Sequence, residues 1–153
     1  MAVCQIVKYP NDVLREKARP VKAVTLQVKR LLNNMFDTMR AAGGVGLAAP
    51  QIGVSKRLIV IEMNDERLAL VNPEITAFAG RDAGTEGCLS IPGVWGEVER
   101  AAQVEVRGLD QDGRAVTVRA EGYLARALQH EIDHLDGILF IDRATKIGRD
   151  KAI

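Results

Sequence analysis

Gln129-His130-Glu131-Ile132-Asp133-His134 contains both histidines of this 153-residue chain. If the segment is helical, residues four apart lie on one face, and the two imidazoles can close on a single metal ion. Glu131 then stands one step round the helix, beside the metal's open position. A carboxylate there can take a proton from bound water. A helix with two unrelated histidines would have no need of that glutamate, so the spacing points to a hydrolytic metal site.

Outward from this segment, the periodicity predicts a helix from about Tyr123 that ends at Gly137, followed by a short closing strand at Leu139-Phe140-Ile141. Upstream, Gln103-Val104-Glu105-Val106-Arg107 and Ala115-Val116-Thr117-Val118-Arg119 alternate with period two. The turn from Asp110 to Arg114, containing Asp112-Gly113, joins them as a hairpin. Leu58-Ile59-Val60-Ile61 and Leu68-Ala69-Leu70-Val71 are apolar runs of strand length, the second ended by Asn72-Pro73. Nearer the start, Pro10-Asn11-Asp12 opens a short helix through Leu14 and Arg15. Thr25 caps a longer helix whose apolar positions Val28, Leu31, Leu32, Met35 and Met39 form a core stripe, stopped by Gly43-Gly44. The stretches Gly43–Gly53 and Gly80–Gly96 lack the context of a phosphate loop, and close backbone approach to a ligand explains their glycines better.

A chain of this length is expected to form one domain, residues 1–153, with a core of useful size. Hydrophobic residues make up 47% and charged residues 27%, as in globular proteins. The formal charge of +1, from 21 basic and 20 acidic residues, argues against an electrostatic nucleic-acid binder and a membrane-surface protein, and no direct sequence-specific nucleic-acid binding is expected. Met1-Ala2-Val3-Cys4-Gln5-Ile6-Val7 has no basic region followed by an apolar run, and no stretch is long and apolar enough to span a bilayer. Two cysteines, Cys4 and Cys88, are too few for a disulfide framework, so a cytoplasmic location is expected.

A catalytic metal usually takes three protein ligands and keeps one position for water. Downstream of His134 the chain offers only Asp136, Asp142 and Asp150. Upstream it offers Cys88, as a thiolate in Glu86-Gly87-Cys88-Leu89-Ser90-Ile91-Pro92-Gly93. A Cys-His-His set suits zinc, iron, cobalt or nickel. Cys4 has no such flanks and reads as structural. An endopeptidase with this helix motif would usually place a glutamate or histidine ligand downstream, and a structural zinc would favour four protein ligands with no use for Glu131.

Three segments together carry a resemblance. Gly44-Val45-Gly46-Leu47-Ala48-Ala49-Pro50-Gln51-Ile52-Gly53, then Glu86-Gly87-Cys88-Leu89-Ser90, then Gln129 through His134 are similar to the signature motifs of the peptide deformylases, in that family's order and spacing. The similarity extends from Tyr9-Pro10 to Phe140-Ile141-Asp142-Arg143, and no catalytic position departs from the motifs. The resemblance implies an α+β fold with antiparallel sheets packed around the C-terminal metal helix. It implies removal of the formyl group, as formate, from the N-terminal formyl-methionine of new proteins, by attack of metal-bound hydroxide. By motif position, Cys88, His130 and His134 would be the ligands and Glu131 the general acid/base. Gln51 and the Leu89 N–H would form the oxyanion hole. The family's native ion is usually Fe2+, which Zn2+, Ni2+ or Co2+ can replace.

For the substrate, Val45 and Gly46 are expected to offer backbone groups to an extended peptide, with Glu86 also placed at the peptide site. Tyr123 and Ala127 precede His130 by seven and three residues and are expected to wall the methionine pocket. Arg126 is expected either at the pocket rim or in solvent, and Trp95 either over the peptide or in the core. Some family members dock on the ribosome through a long C-terminal helix. Lys146-Ile147-Gly148-Arg149-Asp150-Lys151 is basic but glycine-broken, so such a helix is expected to be short or absent, and any ribosome association transient.

Overall fold

The computed structural model describes residues 2–150. A 3-10 turn at Asp12–Arg15 is capped by the Asn11 side chain, which accepts from the Val13 N–H. Helix α1, Leu26–Ala41, begins where Thr25 Oγ1 accepts from the Val28 N–H at 3.3 Å and ends before Gly43 at φ +73°. These are the start and stop that the sequence signalled. The strands are β1 (Gly46–Ala48), β2 (Leu58–Met63), β3 (Glu66–Ala79), β4 (Asp82–Cys88), β5 (Ile91–Arg100), β6 (Gln103–Leu109), β7 (Ala115–Glu121) and β8 (Lys146–Arg149). Helix α2 spans Gly122–Leu135 and a short α3 spans Phe140–Arg143.

All pairings within the two sheets are antiparallel: a five-stranded sheet ordered β1-β2-β3-β6-β7 and a three-stranded sheet ordered β4-β5-β8. The unbroken apolar run of β2 follows from burial on both faces. Ile59 and Ile61 pack with Ala125, Leu128 and Ile132 of α2. Leu58 and Val60 pack with Leu32, Met35 and Phe36 of α1. The larger sheet is thus sandwiched between the two helices. A third core, Leu14, Ile91, Val98, Leu139 and Phe140, belongs to the smaller sheet.

Three expectations about elements are corrected. Leu139-Phe140-Ile141 is not a strand. Leu139 leads into α3, where Asp142 Oδ2 accepts from the Leu139 N–H at 2.9 Å and Phe140 is 1% exposed. Three apolar residues are too few for periodicity to separate strand from helix. The closing strand is instead the basic segment Lys146–Arg149, paired with β5. Its glycine serves packing: a Cβ on Gly148 would lie 2.1 Å from the Trp95 ring. Trp95 therefore covers β8 rather than a peptide. Finally, Asn72-Pro73 does not end β3. The register shifts there, Asn72 adopts φ +53°, and its side chain exchanges two 2.8 Å hydrogen bonds with the Val21 backbone. A bulge lets proline sit in a strand without breaking it. Lys151 lies outside the described residues, among which no helix is long and apolar enough to cross a membrane.

Candidate metal centre

Helix α2 presents His130 and His134 from one face, with ring centroids 5.1 Å apart. The third arm comes from the other sheet. A register shift between Glu86 and Cys88 at the end of β4 turns the thiol toward the helix, and Cys88 Sγ stands 3.4 Å from His134 Nε2. The ligand atoms of Cys88, His130 and His134 all lie within 4.8 Å of one another. Typical zinc bond lengths at a tetrahedral angle place sulfur and nitrogen ligands about 3.6 Å apart. The Cys88–His134 separation is therefore that of two ligands sharing one ion, and the residues fit a metal.

His130 Nδ1 meets Glu86 Oε1 at 2.8 Å. An ionised carboxylate only accepts, so Nδ1 carries the proton and Nε2 is left for the metal. Burial works against a second proton on the ring. The Cys88 and Glu86 contacts outweigh it, and the His130 pKa rises to about 10. A metal at Nε2 competes with that proton, so metal affinity falls as pH falls.

Glu131 is 5% exposed and its Oε1 has no hydrogen-bond partner among the described residues. Burial pushes its pKa up to about 7, which suits a group that takes and returns a proton near neutral pH. Its position depends on Gly46: a Cβ there would fall 2.6 Å from Glu131 Oε2. Gly46 is glycine because the carboxylate lies against the β1 backbone. Gly46→Ala is expected to displace Glu131 and to lower kcat by about 100-fold, the scale of a 1 Å misplacement, while metal stoichiometry stays at wild type. Parallel metal analysis and turnover check this.

Gln51, 1% exposed, is held at both ends of its amide. Oε1 accepts from the Ala48 N–H at 2.9 Å, and Nε2 donates to Ser90 Oγ at 3.2 Å and approaches Cys88 Sγ at 3.5 Å. The amide donor therefore faces the Cys88 sulfur side of the site. Ser90, fully buried, is a holder of Gln51 to which its place in the cysteine motif assigned no role.

Glu86 lines the same cavity but differs from its expected place at the peptide. Oε1 accepts from Arg100 Nη2 at 2.8 Å as well as from His130, and Oε2 accepts from Arg100 Nε at 2.7 Å and Arg126 Nη1 at 2.6 Å. Both oxygens are occupied, so Glu86 orients His130 and presents little to a peptide. Arg126, expected at a rim or in solvent, is 5% exposed. Arg100 in turn donates to Asp133 Oδ2 at 2.7 Å, and Arg143 Nε reaches the same oxygen at 2.6 Å. Sequence reasoning missed Arg100, Asp133 and Arg143. Asp133 sits inside the metal motif, but nothing in the sequence couples it to Arg100, 33 residues earlier.

Burial alone would raise the Glu86 pKa, but its contacts with Arg100 and His130 hold it far below the carboxylate range. A depressed folded pKa contributes stability that is present above the unfolded value and lost as pH falls toward the folded one. Glu86→Gln leaves buried arginines without their shared anion and is expected to destabilise the fold by about 3–5 kcal/mol at pH 7. The gap from wild type should narrow below about pH 4.3. Urea midpoints at pH 7 and pH 3.5 test this, and a constant gap contradicts it.

The centre lies in a cavity of about 400 Å³ whose walls include Val45, Gly46, Leu89, Tyr123 and Ala127. Tyr123 is 61% and Val45 40% exposed, so both stand at the mouth. The Val45 carbonyl is occupied by the Glu62 N–H, whereas β1 as a whole is an edge strand of the larger sheet.

Two histidines on a helix, a cysteine sulfur from a bulged strand and a buried glutamate beside them are the parts that a metal-dependent hydrolase uses, here on an α+β fold. A family model described as polypeptide deformylase matches residues 3–150. The peptide deformylase of Desulforudis audaxviator is 58% identical over 153 residues, 99% of each chain. That of Desulfitobacterium hafniense is 55% identical over 149 residues, covering 97% of this chain and 99% of its own. The crystal structure of a peptide deformylase from Legionella pneumophila aligns with TM-score 0.91 at 47% identity, over 94% of this chain and 87% of that one. The Thermotoga maritima enzyme aligns with TM-score 0.93 at 38% identity, over 95% and 100%. The chain belongs to the polypeptide deformylase family, metal-dependent enzymes that remove N-terminal formyl groups from nascent proteins.

Proposed function

We propose that this chain deformylates formyl-methionyl peptides with Cys88, His130 and His134 holding one divalent ion, Fe2+ in the native protein and replaceable by Zn2+, Ni2+ or Co2+. When bound, the ion supplies Lewis acidity that lowers the pKa of a water toward neutrality. Glu131 takes that water's proton and returns it to the departing amine. Gln51 Nε2 and the Leu89 N–H donate to the oxyanion that forms on the formyl carbon, each worth on the order of 3 kcal/mol when well aimed. The free edge of β1 from Gly46, with Val45 at the mouth beside it, receives the peptide as an added strand. Tyr123 and Ala127 wall the methionine side chain. The reaction takes place in the cytoplasm on nascent chains, and any ribosome contact is transient.

The observation that carries this reading is the unpartnered Glu131 oxygen buried beside a three-ligand cluster. Protein purified without oxygen should release formate from formyl-Met peptides in proportion to bound metal, with iron predominating. Absence of formate from metal-loaded protein, or cleavage of internal peptide bonds instead, would overturn it.

A further inference from the structure

The three metal-binding side chains come from parts of the molecule that do not share a hydrophobic core. Helix α2 packs Ala125, Leu128, Ile132 and Leu135 into the core of the five-stranded sheet. Cys88 packs on the separate core of the smaller sheet, with Ile91, Val98 and Phe140. Across the gap, His130 stacks on the Phe140 ring at 6.1 Å, and Leu89, beside Cys88, packs against the core shared by α1 and β2 rather than against α2. The links from α2 to β4 and β5 include buried polar ones. Arg126, on α2, donates from Nη1 to Glu86 Oε2 on β4 at 2.6 Å and to the Val98 carbonyl on β5 at 2.9 Å, and from Nη2 to the Asp82 carbonyl on β4 at 2.6 Å. Arg100, on β5, closes the lattice in the other direction, through Glu86 on β4 and Asp133 on α2.

Apolar packing is non-directional and tolerates sliding, whereas a planar guanidinium forked across three acceptors fixes distance and angle. The Cys88 strand and the histidine helix are therefore held in register by Arg126 and Arg100 in addition to the packing of Leu89 and Phe140. The approach of Gly84 supports a tight seat: a Cβ there would lie 3.2 Å from the Arg126 guanidinium carbon.

We propose that Arg126 is a positioning residue for the metal, a clamp that sets the distance from the Cys88 thiolate to the two histidines. The inference rests on the metal-centre reading above. Without the clamp, Glu86 keeps both Arg100 bonds and still faces His130, so the histidine pair stays oriented on its helix while the sulfur arm drifts. The defect should therefore appear at the metal–sulfur bond specifically.

The test uses the full chain loaded with Co2+, whose thiolate-to-metal absorption reports the Cys88 bond, together with metal affinity by chelator competition and thermal unfolding of the metal-free protein. Arg126→Met, similar in length but without the fork, is expected to weaken metal binding about 10- to 100-fold, as removal of outer groups around a metal commonly does, and to diminish the absorption band. Arg126→Lys keeps a cation beside Glu86 but cannot span both strands, and is expected to fall between. If Arg126→Met does not fold, Arg126→Lys decides by the same readouts. Arg40→Met, which removes the exposed pair with Glu62, should leave band and affinity unchanged. Wild-type affinity and band in the Arg126 variants, even with a lowered Tm, overturn the clamp, as does an equal loss in Arg40→Met. A wild-type cobalt protein with no thiolate band, or a band that survives Cys88→Ser, sinks the metal-centre reading instead.

Discussion

Glu131→Gln is expected to bind one metal per chain as wild type does and to lose about 10²- to 10⁴-fold in kcat, the range that a general acid–base group contributes. The amide matches the carboxylate in shape, so it still fits against Gly46, whose backbone leaves room for a planar group and for nothing on its own Cα. It cannot accept the water proton. The ligands are separate side chains, and none depends on the Glu131 charge for its orientation: His130 is turned by Glu86, and Cys88 by the bulge in β4. Metal content and turnover should therefore part company. The wild-type rate is expected to show an inflection near pH 7 from the raised Glu131 pKa, and the variant to lack it. Formate release within tenfold of wild type, at full metal occupancy, would remove Glu131 from this role.

Cys88→Ser is expected to act on the metal itself. A serine hydroxyl remains protonated at neutral pH and is a much poorer ligand than a thiolate. With two histidines left on one helix, affinity should fall steeply and formate release with it, and excess metal should restore only part of the activity. Cys4→Ser is the matched control. Cys4 is half-buried near the N-terminus, where its backbone N–H donates to Thr38 Oγ1 at 2.8 Å, a bond that survives the substitution. Equilibrium dialysis and formate assays on both variants separate the two cysteines. If the two behave alike, the assignment of the third ligand is wrong.

Chemistry carried by consecutive residues is legible in the sequence itself. The i, i+4 histidines with Glu131 between them required a helix. Thr25 and Gly43 bounded α1, and the alternating runs around Asp112-Gly113 marked out the β6–β7 hairpin. These features rest on periodicity, capping and turn conformation, all of which act within a few residues. The same logic misjudged Leu139-Phe140-Ile141 and assigned no strand to Lys146–Arg149. In both, the deciding partners are distant: Phe140 lies in the core of the smaller sheet, and β8 exists only because β5 offers an edge and Trp95 a surface to Gly148.

The site divides along the same line. The sequence by itself determined which groups are candidates for the chemistry: two imidazoles, a thiol, a carboxylate and an amide, each in a motif whose residue types suit a hydrolytic metal. Only the tertiary structure decided how those atoms are held. Glu86 read as a residue facing substrate and Arg126 as a rim or solvent residue, yet folding buries both and joins them through Arg100 to Asp133 and His130. The physical reason lies in desolvation. A charged side chain has no preferred partner until burial strips its water, and it then takes whichever opposite charge the packing of α2 against β4 and β5 brings within reach. That choice is made across 14 to 44 residues of sequence separation, beyond the range of any local pattern.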